Sequence, residues 1–319
     1  MVVFIEFLRV LATCLITNSH YTGVYPLDFI ANGGLVGNAL FCAASGYCLY
    51  HVKGSFLKWY SKRLIRCYLP IWVISTVYVL LGFFSLEDRG LLYTFLYPTR
   101  YHFISSIVLL YIPFYFVMKW EVLRSRLPMV MLALGVVSVL YYLFFFDKSY
   151  YHVENVRGVL YRISLFASML LGAWFRQTDS KFRNRSCKWY LLLAPLTFGV
   201  YMVLAYIFTR KPSLGQFQIA SLLSMFLVHC FILRLFAGLD SRFEKLPKTL
   251  RRVVSFISAI TLEIYVVQGE IINIVRPLFG FPLNWLALTA AILAAAIALH
   301  FVCNGITKLF VCITNRRHE

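Results

Sequence analysis

Long apolar blocks constrain this chain more than any motif in it. Residues 67–84, 129–146, 189–208 and 286–302 run without a single Asp, Glu, Lys or Arg. Runs of about 18 apolar residues read as membrane-spanning helices. The whole chain is 61% hydrophobic and 14% charged, against about half and a quarter in soluble domains. A polytopic membrane protein is therefore expected, with no room for a large soluble domain. Window hydropathy predicts ten spans, at 3–22, 33–50, 66–84, 101–118, 128–146, 158–175, 189–208, 217–236, 253–273 and 285–310. The expected fold class is all-α, a helical bundle forming a single domain over 1–319. The N-terminus shows no basic region and no small-residue cleavage site, so the first span is expected to stay as a helix.

The formal net charge of +18 would suggest nucleic acid in a soluble protein. Here the loops account for it. Alternate connections carry 22 Lys and Arg, among them Lys62, Arg63, Arg66, Arg183 and Arg317; the opposite set carries 7, among them Arg100, Arg157 and Arg276. Cytoplasmic loops hold the excess of Lys and Arg, which places both termini in the cytoplasm. No nucleic-acid partner is needed. Eight scattered cysteines form no CxxC pair and read as small hydrophobes. Seven histidines show no metal-ligand spacing, so no metal site is expected.

The first span, FIEFLRVLATCLITNSHY, carries Glu6, Arg9 and His20. A charge inside a bilayer costs a few kcal/mol, so each needs a reason. Arg9 and His20 are eleven residues apart. That is about 1100° of helix, three turns plus roughly 20°, so both project from one face, about 16 Å apart along the axis. Glu6 lies three residues before Arg9 and can pair with it. The bland alternative is an interfacial Glu6–Arg9 pair and a snorkelling His20. In FLKWYSKRLIRCYLP, Arg63 and Arg66 face one way before the third span. They serve either as positive-inside flanks or as a clamp for phosphate, which guanidinium forks suit.

Together these stretches resemble the acyltransferase 3 family of integral membrane acyltransferases. Arg9 and His20 match its Arg-x10-His signature, and EFLR holds Glu6 where members often carry Asp. LFCAASGYCL resembles its second span through Ser45, Gly46 and Tyr47. KRLIRCYLPIW resembles its Arg-x-x-Arg motif followed by Pro, through Arg63, Arg66 and Pro70. SAITLEIYVVQ resembles a late span through Leu262, Glu263, Ile264 and Tyr265, with Gln268 where many members have His. The resemblance covers nearly the whole chain.

It implies transfer of an acyl group, usually acetyl, from cytoplasmic acyl-CoA to a carbohydrate on the other side of a bacterial inner membrane. No resident cofactor is implied. The partners would be acyl-CoA, a glycan or lipid-linked glycan acceptor and the lipid bilayer. Arg9, Arg63 and Arg66 are expected on the donor side. His20 is expected at the outer end as general base, with His102, Arg162, Gln268 and Glu270 at similar depth. Glu6, Ser45, Glu263 and Tyr265 are expected to support the site. Bland readings stand beside these. Glu263 would meet a cation or hydroxyl across helices, His229 and His300 would be packed and hydrogen-bonded, and Asp28 would sit in a solvated turn rather than orient His20. No G-x-S-x-G elbow is present. The alternative function is a transporter or flippase, which would show inverted repeats with broken Gly/Pro-rich helices. The sequence shows no sign of them.

Overall fold

A computed structural model describes residues 2–97 and 99–316; Arg317, counted above among the cytoplasmic cations, lies outside the described residues. Every regular element among them is helical. In chain order these are α1 (Val3–Ser19), α2 (Gly34–Leu49), α3 (Phe56–Leu80), α4 (Leu86–Phe95), α5 (His102–Lys119), α6 (Glu121–Ser125), α7 (Leu127–Phe144) and α8 (Val159–Gln177). There follow α9 (Asp179–Phe182), α10 (Tyr190–Arg210), α11 (Ile219–Gly238), α12 (Asp240–Glu244), α13 (Lys248–Ala259), α14 (Thr261–Val275) and α15 (Leu283–Arg316).

Eight helices are long and apolar enough to cross a membrane: α2, α3, α5, α7, α8, α10, α11 and α15. The chain is a multi-pass, all-α membrane protein. Two of the ten expected spans take another form. The first is α1, with 17 residues, about 26 Å at 1.5 Å per residue. It packs against α2, α11, α13 and α14, inside the bundle. There its polar groups meet protein rather than lipid.

The ninth expected span, 253–273, is broken. α13 ends at Ala259 and α14 starts at Thr261, with Ile260 between them at φ −100°, ψ 14°. Neither Gly nor Pro marks this break, so the expected single span is interrupted at a place that carries no sequence signal.

α2, α5 and α8 are largely buried, whereas α7 and α10 are mostly exposed and form the lipid-facing periphery. α2 lies closest to its neighbours. A Cβ on Gly37 would come within 2.6 Å of the Ala12 carbonyl oxygen in α1. Cβ atoms on Gly46 and Gly172 would strike the carbonyl groups of Met169 and Ala43, so α2 and α8 touch backbone to backbone. Small residues allow such approach in helices that gain nothing from hydrophobic burial in lipid.

The two ends of the bundle differ in chemistry. At the end holding the basic loops, the buried Asp240 carboxylate accepts the Phe4 backbone N–H at 2.8 Å and Arg183 Nε at 2.5 Å. The first of these contacts satisfies an N–H that a helix N-terminus leaves open. Tyr47 donates to Asp179 at 2.6 Å and so ties the end of α2 to the segment after α8. At the opposite end Arg276 donates to the Thr22 carbonyl at 3.1 Å, and Asn284 to that of Val24 at 3.1 Å. Asp28 accepts the Gly23 N–H at 2.7 Å and shapes a turn.

Two outcomes test this arrangement. Ser149 and Ser180 are both exposed, in connections of opposite charge type. A cysteine at Ser149 should react with an impermeant thiol reagent on intact cells and one at Ser180 should not; the reverse pattern rejects the topology. Asp240→Ala should destabilise the detergent-solubilised protein by about 2–3 kcal/mol, below the full worth of a buried pair because Arg183 is partly exposed. An unchanged melting temperature would assign the contact no weight.

Candidate active site

Three spaces lie along the bundle between the basic end and the opposite end, and neighbouring ones share lining residues. The inner cavity, about 320 Å³, opens among α1, α2, α3, α5 and the α13–α14 break. Arg9, Ser45, Arg63, Arg66 and Glu263 all line it, as does Lys62. Five residues from four separate motifs therefore meet in one place. The outer cavity, about 330 Å³, holds His20, His102, Tyr265, Gln268 and Glu270. Between the two lies a neck of about 20 Å³, walled by α1, α2, α5 and α14. It shares Phe41, Phe103 and Leu262 with the inner cavity and Tyr265 with the outer one.

In the inner cavity, Arg9 Nη2 donates to Thr261 Oγ1 at 3.2 Å, and its guanidinium lies 5.5 Å from the Phe41 ring centre. The helix break places Thr261 where Arg9 can reach it. Glu6 takes a different partner, accepting from Ser255 Oγ at 3.3 Å. Arg63 stacks over Trp59 at 4.7 Å, while Arg66 is exposed. With Lys62 they present three cations at the cavity mouth on the end holding the basic loops. Planar guanidinium forks there suit phosphate oxygens. Glu263 accepts from or pairs with His300 Nδ1 at 2.9 Å, and His300 Nε2 meets Asn304 at 2.9 Å. His300 is thus a hydrogen-bonded structural partner that holds Glu263 at the cavity wall.

In the outer cavity, His20 is exposed at the mouth, one residue past the end of α1. The guanidinium of Arg157 lies against His102, Nε to Nδ1 at 3.3 Å, and donates to the Tyr93 hydroxyl at 3.1 Å. Arg100 lies over the Phe84 ring at 4.0 Å. Gln268 is buried, and its Oε1 has no hydrogen-bond partner among the described residues. A buried acceptor of this kind costs about 1–3 kcal/mol until a donor meets it. The Tyr265 hydroxyl accepts the Phe103 N–H at 3.3 Å, which fixes the ring where neck and outer cavity join.

Arg162 stands apart from the group expected at the outer depth. It lines none of the three spaces, and its Nε is buried in α8 without a partner among the described residues. His229 is likewise outside them, 3.2 Å from Ser168 Oγ in the interior. Sequence reasoning missed Lys62, Arg100 and Arg157, and the neck residues Phe41 and Phe103. The two arginines had one signal. They belong to the outer set of cations, which runs against the charge bias and so calls for another purpose. Among the described residues no group of three or more His, Cys, Asp or Glu converges as a metal site.

An interior with a cationic cavity near one end, an imidazole-bearing cavity near the other and a small apolar space between them suits a group-transfer enzyme in a membrane. The chain belongs to the acyltransferase 3 family, whose acyltransferase domain matches residues 2–304. It is a membrane acyltransferase. Among curated proteins and solved structures none matches the chain.

If the basic mouth binds the phosphates of a CoA donor, Arg63→Ala or Arg66→Ala should weaken that binding by about 1.5–3 kcal/mol, the worth of a charged hydrogen bond. Lys at either position should restore it in part, because it lacks the planar fork. Calorimetric titration with acetyl-CoA checks this. Equal affinity in a folded double variant would leave both arginines as topology signals.

Proposed function

We propose that the protein moves an acyl group, acetyl in the simplest case, from cytoplasmic acyl-CoA to a hydroxyl of a cell-surface or lipid-linked glycan at a bacterial inner membrane. One observation supports this reading: Arg63 and Arg66 line one cavity, His20 lines another, and a small space that shares residues with both lies between them. The donor phosphates sit at the inner mouth beside Arg63, Arg66 and Lys62. The pantetheine arm fills the inner cavity past Arg9, and the thioester reaches the neck. The acceptor sugar enters the outer cavity, where Gln268 Oε1 can accept a hydrogen bond from one of its hydroxyls.

The acceptor oxygen attacks the thioester carbonyl carbon as the His20 imidazole takes its proton. The carbon–sulfur bond then breaks, and the sulfur leaves with the electron pair. The thiolate gains a proton from the imidazolium or from cytoplasmic water, and CoA departs on the side from which it came. An acyl-histidine at His20, discharged by the acceptor in a second step, uses the same residues. An imidazole suits either route, because its ordinary pKa lies near working pH.

His20→Gln should lower transfer by roughly 10²–10⁴-fold, the usual worth of general acid–base catalysis, with acyl-CoA affinity unchanged. The assay follows label from acetyl-CoA into surface glycan of cells lacking the protein, and mass spectrometry identifies the modified sugar. Near wild-type transfer by purified His20→Gln protein would remove His20 from the chemistry.

A further inference from the structure

We infer that a pocket over the connection between α7 and α8 binds a second sugar, the unit next to the one that receives the acyl group. The acceptor is then a chain of at least two sugars. This rests on the transfer to a glycan proposed above. The pocket, about 340 Å³, is lined among others by Phe145, Asp147, His152, Asn155 and Arg157. Arg157 also borders the outer cavity. Its guanidinium donates to the Tyr93 hydroxyl at 3.1 Å and lies 3.3 Å from His102 Nδ1, and both of those residues line the outer cavity. A ligand that filled both spaces would pass over this one guanidinium, as two neighbouring units of one glycan could.

The lining has the chemistry that a pyranose needs. A sugar ring presents an apolar C–H face and a rim of hydroxyls that both donate and accept. Phe145 offers the apolar surface: it stacks on Tyr141 at 6.0 Å and is otherwise 78% exposed. Asp147 Oδ1 accepts the Ser149 N–H at 2.9 Å, which leaves the second carboxylate oxygen to accept from a ligand. Asn155 Oδ1 accepts the Arg157 N–H at 3.0 Å, which leaves Nδ2 to donate. His152 Nδ1 lies 2.9 Å from the Tyr150 carbonyl oxygen. A carbonyl only accepts, so Nδ1 carries the proton and Nε2 is an acceptor. Acceptors and a donor beside an apolar wall are the usual furnishing of a small-molecule site. The charges of Asp147 and Arg157 oppose each other, so the pocket suits an uncharged polyhydroxyl group better than a phosphate.

The pocket is also held in shape. Buried Gln218, just before α11, accepts the N–H groups of His152 and Val153, each at 2.9 Å, and donates to the Tyr150 carbonyl at 2.9 Å. Tyr142 donates to the Gln216 carbonyl at 2.7 Å. The His152 ring stacks on Phe146 and on Tyr150, with ring centres 4.3 and 4.1 Å away. A surface connection fixed by these contacts has little conformational freedom left to lose when a ligand arrives. The bonds formed and broken in the transfer are those given above; the pocket adds a hold on the acceptor.

The experiment uses purified, lipid-reconstituted protein, acetyl-CoA, and surface glycan from cells lacking the protein, both intact and cut by partial hydrolysis into fragments of one, two and three sugars. Wild-type kcat/KM should rise about tenfold or more from one sugar to two, chiefly through KM. Asn155→Asp keeps the acceptor for the Arg157 N–H and removes the donor, and Phe145→Ala removes an exposed ring. Each should lower kcat/KM for the two-sugar fragment by about tenfold, the worth of one or two net hydrogen bonds, and so erase its advantage over one sugar. A two-sugar fragment used no better than one sugar would overturn the inference. So would variants that slow both fragments by one factor. Absence of transfer from acetyl-CoA to the intact glycan would instead overturn the transfer reading. Calorimetric titration of the two- and three-sugar fragments then decides the pocket: weaker binding by Asn155→Asp and Phe145→Ala than by the wild type supports it, and equal or undetectable binding by all three rejects it.

Discussion

The molecule depends on how closely α2 approaches the helices on either side. Gly37 brings it against α1, and Gly46 with Gly172 brings it against α8. In lipid there is little hydrophobic gain from joining helices, so van der Waals contact and hydrogen bonds must hold them. The three glycines supply that contact by removing the side chains that would separate the backbones. The result seats α1 inside the bundle, although it carries Glu6 and Arg9. Once α1 is central, its length separates Arg9 from His20 along one passage. The sequence motif of Ser45, Gly46 and Tyr47 divides its tasks accordingly. Ser45 lines the inner cavity, Gly46 permits the α2–α8 contact, and Tyr47 fastens α2 to Asp179.

Much of this was legible in the residues themselves. Apolar blocks revealed most of the helices, because a spanning helix must be apolar over its whole length. Loop cations led to the expectation of a basic end and an opposite end with fewer cations. Arg9 with His20, and Arg63 with Arg66, stood out because polar groups inside or beside spans are costly and therefore informative. The family resemblance drew Ser45, Glu263, Tyr265, Gln268 and their neighbours into one site, and the cavities contain them.

What was not legible was pairing across helices. Glu6 was expected beside Arg9 from its i, i+3 spacing, yet it lies against Ser255, 249 positions away in sequence. Arg162 has the same polar character as His102, but its helix faces elsewhere. The break at Ile260 left no trace, because it is built from ordinary apolar residues and sustained by tertiary contacts such as Arg9 with Thr261. Phe41 and Phe103 were lost among 29 phenylalanines. In a chain this rich in aromatics, composition cannot distinguish a ring that lines a passage from one that faces lipid.

The broken helix and the neck answer one physical difficulty together. A group handed through a bilayer needs a path, while an open aqueous path would let protons and ions cross. Breaking a helix exposes backbone and polar groups, and inside a membrane this is tolerated only where protein or a lined cavity receives them. Here the break opens onto the inner cavity, and Thr261 at its edge receives Arg9. The same turn of α14 then places Leu262 and Tyr265 in the wall of the neck. One local departure from helicity thus supplies both the polar pocket and the apolar constriction beyond it. The polar pocket stabilises a cation that lipid would reject. Beyond it, Phe103 packs edge to face on Phe41 and Tyr265, so the space that borders both cavities is walled by aromatic rings.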